Sequence, residues 1–277
     1  MDISDSIKAI KIGNEQFLDQ VLNIITYAEK KQIHLRIIGS TAVYLNIKDN
    51  PRTLALFNSL GRLAPGSSPF SDLDVITYKK ERGKVIDLFE KDLGFVPEQT
   101  INAMFGTERN VYHSPDNTYD VDIFYSCLNF SHKICWGDSE RDGWLPYKQI
   151  TIEPGDIVME KLQIHEINRK DLIDLTLLFI NAELSNKKFN YNLLLKHTSE
   201  DWGLWYDSMI NLDKVLKFSD ELRNSGLITE QEHNYVIKNV NTLRDLLEKS
   251  EKSKSWLKRA KKGTSIPWYD DVEEIKR

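Results

Sequence analysis

Two aspartates one residue apart, Asp72 and Asp74, stand in the run Ser71-Asp72-Leu73-Asp74-Val75-Ile76-Thr77, which is otherwise largely apolar and β-branched. Paired as a strand, this run turns both carboxylates to one face and Leu73 and Val75 to the other, with the acids about 7 Å apart along the chain. Neighbouring carboxylates disfavour each other's ionisation unless a cation or water solvates them, so the spacing suits a shared Mg2+ site. The competing reading is an exposed strand edge that holds no ion. A second pair, Asp120 and Asp122, repeats the pattern in Tyr119-Asp120-Val121-Asp122-Ile123-Phe124-Tyr125, and alternation again sets both acids on one face.

Three other groups of residues could act on phosphates. Ile37-Ile38 leads into Gly39-Ser40 and then Thr41-Ala42-Val43-Tyr44-Leu45, a strand-to-helix junction. There glycine allows close backbone approach, and helix-opening amides with the Ser40 hydroxyl can face a polyphosphate. An ordinary capped turn fits the same residues. Arg52 and Arg62 lie in a turn-rich stretch, 48–70, and either can meet a phosphate or face solvent. Residues 249–262 carry Lys249, Lys252, Lys254, Lys258, Arg259, Lys261 and Lys262 against Glu251, with Trp256 among them. Such a run can hold RNA by neutralising phosphates and stacking on a base, or can be a solvated helix face. His165-Glu166-Ile167-Asn168-Arg169 has no second histidine four residues on, which excludes a zinc-protease motif and leaves His165 to surface or packing.

The elements that must position these residues follow from periodicity. Helical spacing is expected over 14–30 and over 79–93, the latter ending near Gly94, with Phe95-Val96 opening a strand. A short strand is expected over 33–38. Residues 110–113 and 119–125, separated by Ser114-Pro115-Asp116-Asn117, predict a hairpin. From Pro154 onward the pattern is helical, and Thr229-Glu230-Gln231-Glu232 reads as a capping box opening a helix with Val236, Val240, Leu243 and Leu247 inward. Residues 127–153 have no countable period.

Composition narrows the class. The chain has 277 residues, 40% apolar and 29% charged, which is globular. No apolar run reaches the roughly 20 residues of a membrane span, and the first residues lack signal-peptide character, so a cytoplasmic protein with no membrane partner is expected. The two cysteines, Cys127 and Cys135, have neither metal spacing nor a disulfide-rich setting, and reduced thiols are expected. A net charge of −5 argues against a general nucleic-acid coat while leaving room for a local basic patch.

Taken in order, Gly39-Ser40, then Asp72 and Asp74, then Asp122 and a helical second half resemble the nucleotidyltransferase superfamily, the DNA polymerase β-like fold. Asp122 matches the third acid better than Asp120 because it directly precedes the apolar strand end Ile123-Phe124. Asp156-Ile157-Val158-Met159-Glu160-Lys161-Leu162-Gln163 and Arg169-Lys170-Asp171-Leu172-Ile173-Asp174-Leu175 resemble the helices of AbiEii-type minimal nucleotidyltransferases, among them toxins of type IV toxin–antitoxin pairs. The matching motifs cover residues 33–180. The interval from Ser40 to Asp72 is longer than the family's pattern usually has.

The resemblance implies an α+β fold. Residues 1–151 would form a mixed-sheet catalytic domain with helices packed on it, and residues 152–277 an all-α C-terminal bundle. It also implies Mg2+-dependent transfer of a nucleoside monophosphate from a nucleoside triphosphate to an acceptor. In that scheme Asp72, Asp74 and Asp122 are the metal ligands of two ions, Gly39, Ser40 and Lys161 bind the nucleotide's phosphates, and Asp171 shapes the site. The acceptor stays open between a small cationic molecule such as an aminoglycoside, a protein side chain and a tRNA 3′ end. A non-catalytic binding module or partner subunit on the same fold and a two-metal nuclease are the rival readings.

Overall fold

The computed structural model describes residues 10–63 and 68–271 and shows an α+β fold with a mixed five-stranded sheet and a helical C-terminal region. The described chain opens with α1 (Asn14–Lys30), whose buried Phe17, Val21, Ile24, Ile25 and Ala28 recur at helical spacing. Next comes β1 (Arg36–Ile37), shorter than expected because Leu35 N–H bonds back to Ile33 O and takes that stretch out of the ladder. It leads into α2 (Gly39–Ile47). α3 (Pro51–Ser59) starts at its proline, with the Asn50 side chain accepting from Arg52 and Thr53 N–H.

The second aspartate of the Asp-x-Asp run lies in β2 (Leu73–Thr77), and Asp72 stands one residue ahead of it. Where one helix is expected over 79–93, the chain makes a 3-10 turn at Lys79–Glu81, α4 (Arg82–Asp87) and a π turn at Leu88–Asp92. The wide turn closes through Leu93 N–H to Leu88 O, and Phe89 sits buried against Phe95 and Tyr112, with ring centroids 5.2 and 5.4 Å away. β3 (Val96–Pro97) and α5 (Gln99–Phe105) follow, then β4 (Arg109–His113) and β5 (Asp120–Tyr125), the expected hairpin. The sheet order is β1-β2-β5-β4-β3, with β2 and β5 parallel and every other pair antiparallel.

The thiols are not reduced. β6 (Cys127–Asn129) and β7 (Lys133–Cys135) form a two-stranded ribbon whose ends bring the cysteine Cα atoms to 4.0 Å, and the two sulfurs form a disulfide. The intervening turn is too short to read by periodicity, which is why the pairing was not visible in the spacing.

After Pro154 come α6 (Pro154–Leu162), α7 (Arg169–Leu184), α8 (Asn192–Glu200), α9 (Trp202–Asn224), α10 (Glu230–Lys249) and α11 (Lys254–Ala260). Caps set their starts. The Asn168 side chain accepts from Lys170 and Asp171 N–H, Asp201 accepts from Gly203 and Leu204 N–H, and Thr229 and Glu232 form the capping box. No helix among the described residues is long and apolar enough to cross a membrane.

Two compact units divide the chain. The first takes residues up to Ala42, Gly61–Cys127 and Cys135–Ile152; the second takes Val43–Leu60, Leu128–Ile134 and residues from Glu153 on. In the first, the sheet's core is aliphatic and aromatic, with Leu73, Val75, Val121 and Ile123 fully buried. In the second, Arg52 is not free for phosphate: its guanidinium meets Glu232 at 2.6 Å and holds that carboxyl below its usual range. Thr53 and the main chain at Asn46 bind opposite ends of the buried Asn181 amide.

A buried polar cluster fastens the end of the described chain to the second unit. His132 Nε2 lies 2.8 Å from Asp207 Oδ2 and its Nδ1 3.7 Å from Asp201. His165 Nδ1 is 3.1 Å from Asp207, its ring stacks on Tyr269 at 3.6 Å, and Trp268 Nε1–H donates to Asp207 Oδ1. Lys214 Nζ lies 3.4 Å from His165 O. Thus His165 is a packing residue with a carboxylate partner. Burial opposes charge on His132, yet the hydrogen bonds it donates to Asp201 and Asp207 outweigh it and its pKa is raised. Burial likewise opposes charge on Asp207 and Asp201, and their bonds to the histidine and other donors bring both below the usual carboxylate range.

The signs fix a pH window. The imidazolium contribution is complete below the unfolded histidine value of about 6.5 and is lost as pH climbs through the raised folded value. The carboxylate contributions are complete above about 3.9 and are lost as pH falls through the lowered ones. Urea midpoints are therefore expected to be highest between these limits and to decline on the alkaline side, and His132→Asn is expected to flatten that alkaline limb. Parallel pH profiles for the two proteins would overturn the assignment.

Candidate metal centre

The sheet's hydrogen-bond register builds this site. β2 and β5 pair in parallel with Asp74 opposite Asp122, so the two side chains share a face, and Asp72, one residue ahead of β2, brings its carboxylate to the same place. One oxygen from each of Asp72, Asp74 and Asp122 lies within 4.8 Å of the others. Asp122 is buried, whereas Asp72 and Asp74 are half-buried. Asp120, two residues earlier, is not in this group; its Oδ1 sits 2.7 Å from His113 Nδ1, its neighbour across β4.

Neighbouring groups hold the carboxylates in place. Ser71 Oγ–H donates to Asp72 Oδ1 at 2.7 Å. Arg109 pairs with Phe124 in the β4–β5 register, which sets its guanidinium diagonal to Asp122, and its Nη2 reaches Asp122 Oδ2 at 2.6 Å while the group lies over the Phe124 ring. Sequence reasoning missed Arg109. The signal was available, because the hairpin register that pairs Val111 with Asp122 also puts Arg109 on the same face.

Gly39 comes to the site through β1. Antiparallel pairing of Ile37 with Val75 continues as an Ile38 N–H bond to Asp74 O, so the next residue arrives beside the Asp74 side chain. Gly39 has φ +65°, and a Cβ there would stand 2.6 Å from Asp74 Oδ2. Both observations demand glycine. Gly39→Ala is expected to cost about 2 kcal/mol from the left-handed backbone alone and to displace the Asp74 carboxylate. Urea unfolding and Mn2+ titration check this, and wild-type behaviour in both would contradict the close approach. Ser40 follows in the first turn of α2 and is buried.

The donor set fits a hard cation. Three carboxylates within reach of one another are oxygen ligands of the kind that Mg2+ or Mn2+ takes, and their mutual repulsion is relieved by a divalent ion. Asp72, Asp74, Asp122 and Gly39 are thus brought together within the first unit.

Lys161 and Asp171 belong to the second unit. Lys161 is buried, with Nζ 3.0 Å from Asp171, 3.4 Å from Asp174 and 3.9 Å from Glu160. Asp171 is thus a direct partner of that ammonium. Arg62 Nη1–H donates to Pro69 O in the loop ahead of β2. No family model, no curated protein and no solved structure matches this chain.

Proposed function

We propose that the first unit is a Mg2+-dependent nucleotidyltransferase, moving a nucleoside monophosphate from a nucleoside triphosphate to an acceptor hydroxyl. The observation that carries this reading is the convergence of Asp72, Asp74 and Asp122, with oxygens within 4.8 Å of one another. These three residues would hold Mg2+, which when bound neutralises phosphate charge and lowers the pKa of a hydroxyl. Ser71 and Arg109 keep Asp72 and Asp122 in place, and Gly39 leaves the Asp74 carboxylate uncrowded. Amides at the start of α2, with Ser40, orient the triphosphate. In the transfer the acceptor oxygen bonds to the α-phosphorus, the bond from that phosphorus to the bridging oxygen breaks and pyrophosphate leaves. Asp122 takes the hydroxyl proton. The ion pairs of Lys161 with Asp171 and Asp174 lend no support to a phosphate contact for that residue.

One observation favours the non-catalytic reading. Arg109 already supplies a cation to Asp122 at 2.6 Å, as a structural ion pair would. Calorimetric titration of the full chain with nucleoside triphosphates, with and without Mg2+ or Mn2+, separates the two. Metal-dependent binding, followed by incorporation of α-labelled nucleotide into RNA, protein or an aminoglycoside, supports the transferase. No triphosphate binding in either metal leaves the non-catalytic module.

A further inference from the structure

We infer that α11 and the turn after it carry a docking stripe for the phosphate backbone of a nucleic acid. The seven basic residues of 249–262 separate in the structure into two groups. Lys249, Lys252 and Arg259 are structural. Lys249 pairs with Asp245. Lys252 is half-buried over the Trp205 and Trp256 rings, at 5.9 and 5.5 Å, and bonds to Ser250 and Leu247 O. Arg259 lies 4.8 Å over Trp202 and donates to Gly263, Ile266 and Pro267 carbonyls, which ties down the turn after the helix.

Lys254, Lys258, Lys261 and Lys262 are different. All four are exposed, and none makes an ion pair with a described residue. Offsets of four, seven and eight residues from Lys254 put them within an arc of about 100° around the helix axis, since Lys261 and Lys262 keep helical backbone angles. The stripe extends about 12 Å along the axis, a length that meets successive phosphates.

Charge complementarity decides the occupant. Residues 249–262 carry seven basic groups and one acid, a net +6, in a chain whose total is −5, so the remainder is at −11. A compact cationic stripe on an otherwise acidic protein draws a polyanion to that place and repels it elsewhere. Base stacking is not part of the device, because Trp256 packs edge-on against Trp205 at 5.3 Å and beneath Lys252. Recognition is therefore of the backbone and tolerant of sequence. An anionic membrane fits less well, since a membrane-surface helix needs an apolar face and only Leu257 is an exposed large apolar residue on α11.

The inference stands apart from the carboxylate site. The test is fluorescence anisotropy of the full chain with labelled 20-nucleotide RNA and DNA of mixed sequence between 50 and 200 mM KCl. Four lysines on a single strand predict a slope of log affinity against log salt of about −3, or about a fiftyfold loss across that range. The variant K254Q/K258Q/K261Q/K262Q should lose at least tenfold in affinity at 50 mM, with a nearly flat salt dependence. The control K84Q/K187Q/K188Q/K217Q removes the same charge from exposed lysines elsewhere and should bind as the wild type does. Asp72→Ala should also bind normally, which separates failure of this inference from failure of the transferase reading. Comparison of RNA with DNA reports which backbone is preferred. Equal loss in the two quadruple variants, no binding at 50 mM, or stripe-dependent binding to phosphatidylserine vesicles with none to either nucleic acid overturns the proposal.

Discussion

Asp74→Asn is expected to reduce metal-dependent nucleotidyl transfer by a thousandfold or more while leaving the fold intact. The substitution keeps the side chain's shape and removes one anionic ligand from a site that depends on concentrated negative charge. Loss of several kcal/mol of metal-assisted stabilisation corresponds to about three orders of magnitude in rate. In metal-free buffer the sign reverses: one fewer repelling carboxylate should leave the urea midpoint unchanged or slightly raised. Asp120→Asn provides the contrast, since that carboxylate is held by His113 outside the cluster, and transfer should stay within about threefold of wild type. Single-turnover assays with α-labelled triphosphate measure both. Wild-type transfer by the Asp74 variant would remove the metal site from the mechanism.

Lys161→Met is expected to destabilise the second unit by about 3–5 kcal/mol, the usual cost of removing one partner from a buried ion pair. Asp171 and Asp174 face the lysine from α7 in a water-poor interior, and neither carboxylate can follow it out to solvent. With a slope of about 2 kcal/mol per molar urea, the midpoint should fall by more than 1 M. Adding Asp171→Asn removes one of the repelling charges and should recover part of the loss, a coupling that a double-mutant cycle reads directly. Equal and additive losses would show that the three groups do not act as one network. An unchanged midpoint would make Lys161 a surface-like charge despite its burial.

The parts of this chain legible in its sequence are those where one local rule suffices. Alternation in 71–77 and 119–125 placed Asp74 and Asp122 on strands, with Asp72 one residue ahead of its strand, and 3.6-residue spacing placed α1 and α10. What escaped depends on partners distant in sequence. Nothing near Lys161 distinguishes a solvent-facing ammonium from one enclosed by α7, and the same holds for His165, whose partner Asp207 lies on α9. The π turn at Leu88–Asp92 keeps the apolar pattern of a helix while changing its bonding, so periodicity could not reveal it. The pairing of Cys127 with Cys135 follows from a ribbon of two three-residue strands, too short for alternation to register. Arg109 is the instructive intermediate: its role needed the register of one hairpin and nothing further.

Parallel pairing of β2 with β5 also has a kinetic side. Asp74 and Asp122 stand forty-eight positions apart, and no short turn can join parallel neighbours. The β4–β5 hairpin can form early from local contacts, carrying Asp122 and its arginine with it, but that fragment has one ligand where the centre needs three. The three carboxylates do not come together until that slower class of contact closes, so metal affinity at this cluster would be a late marker of folding.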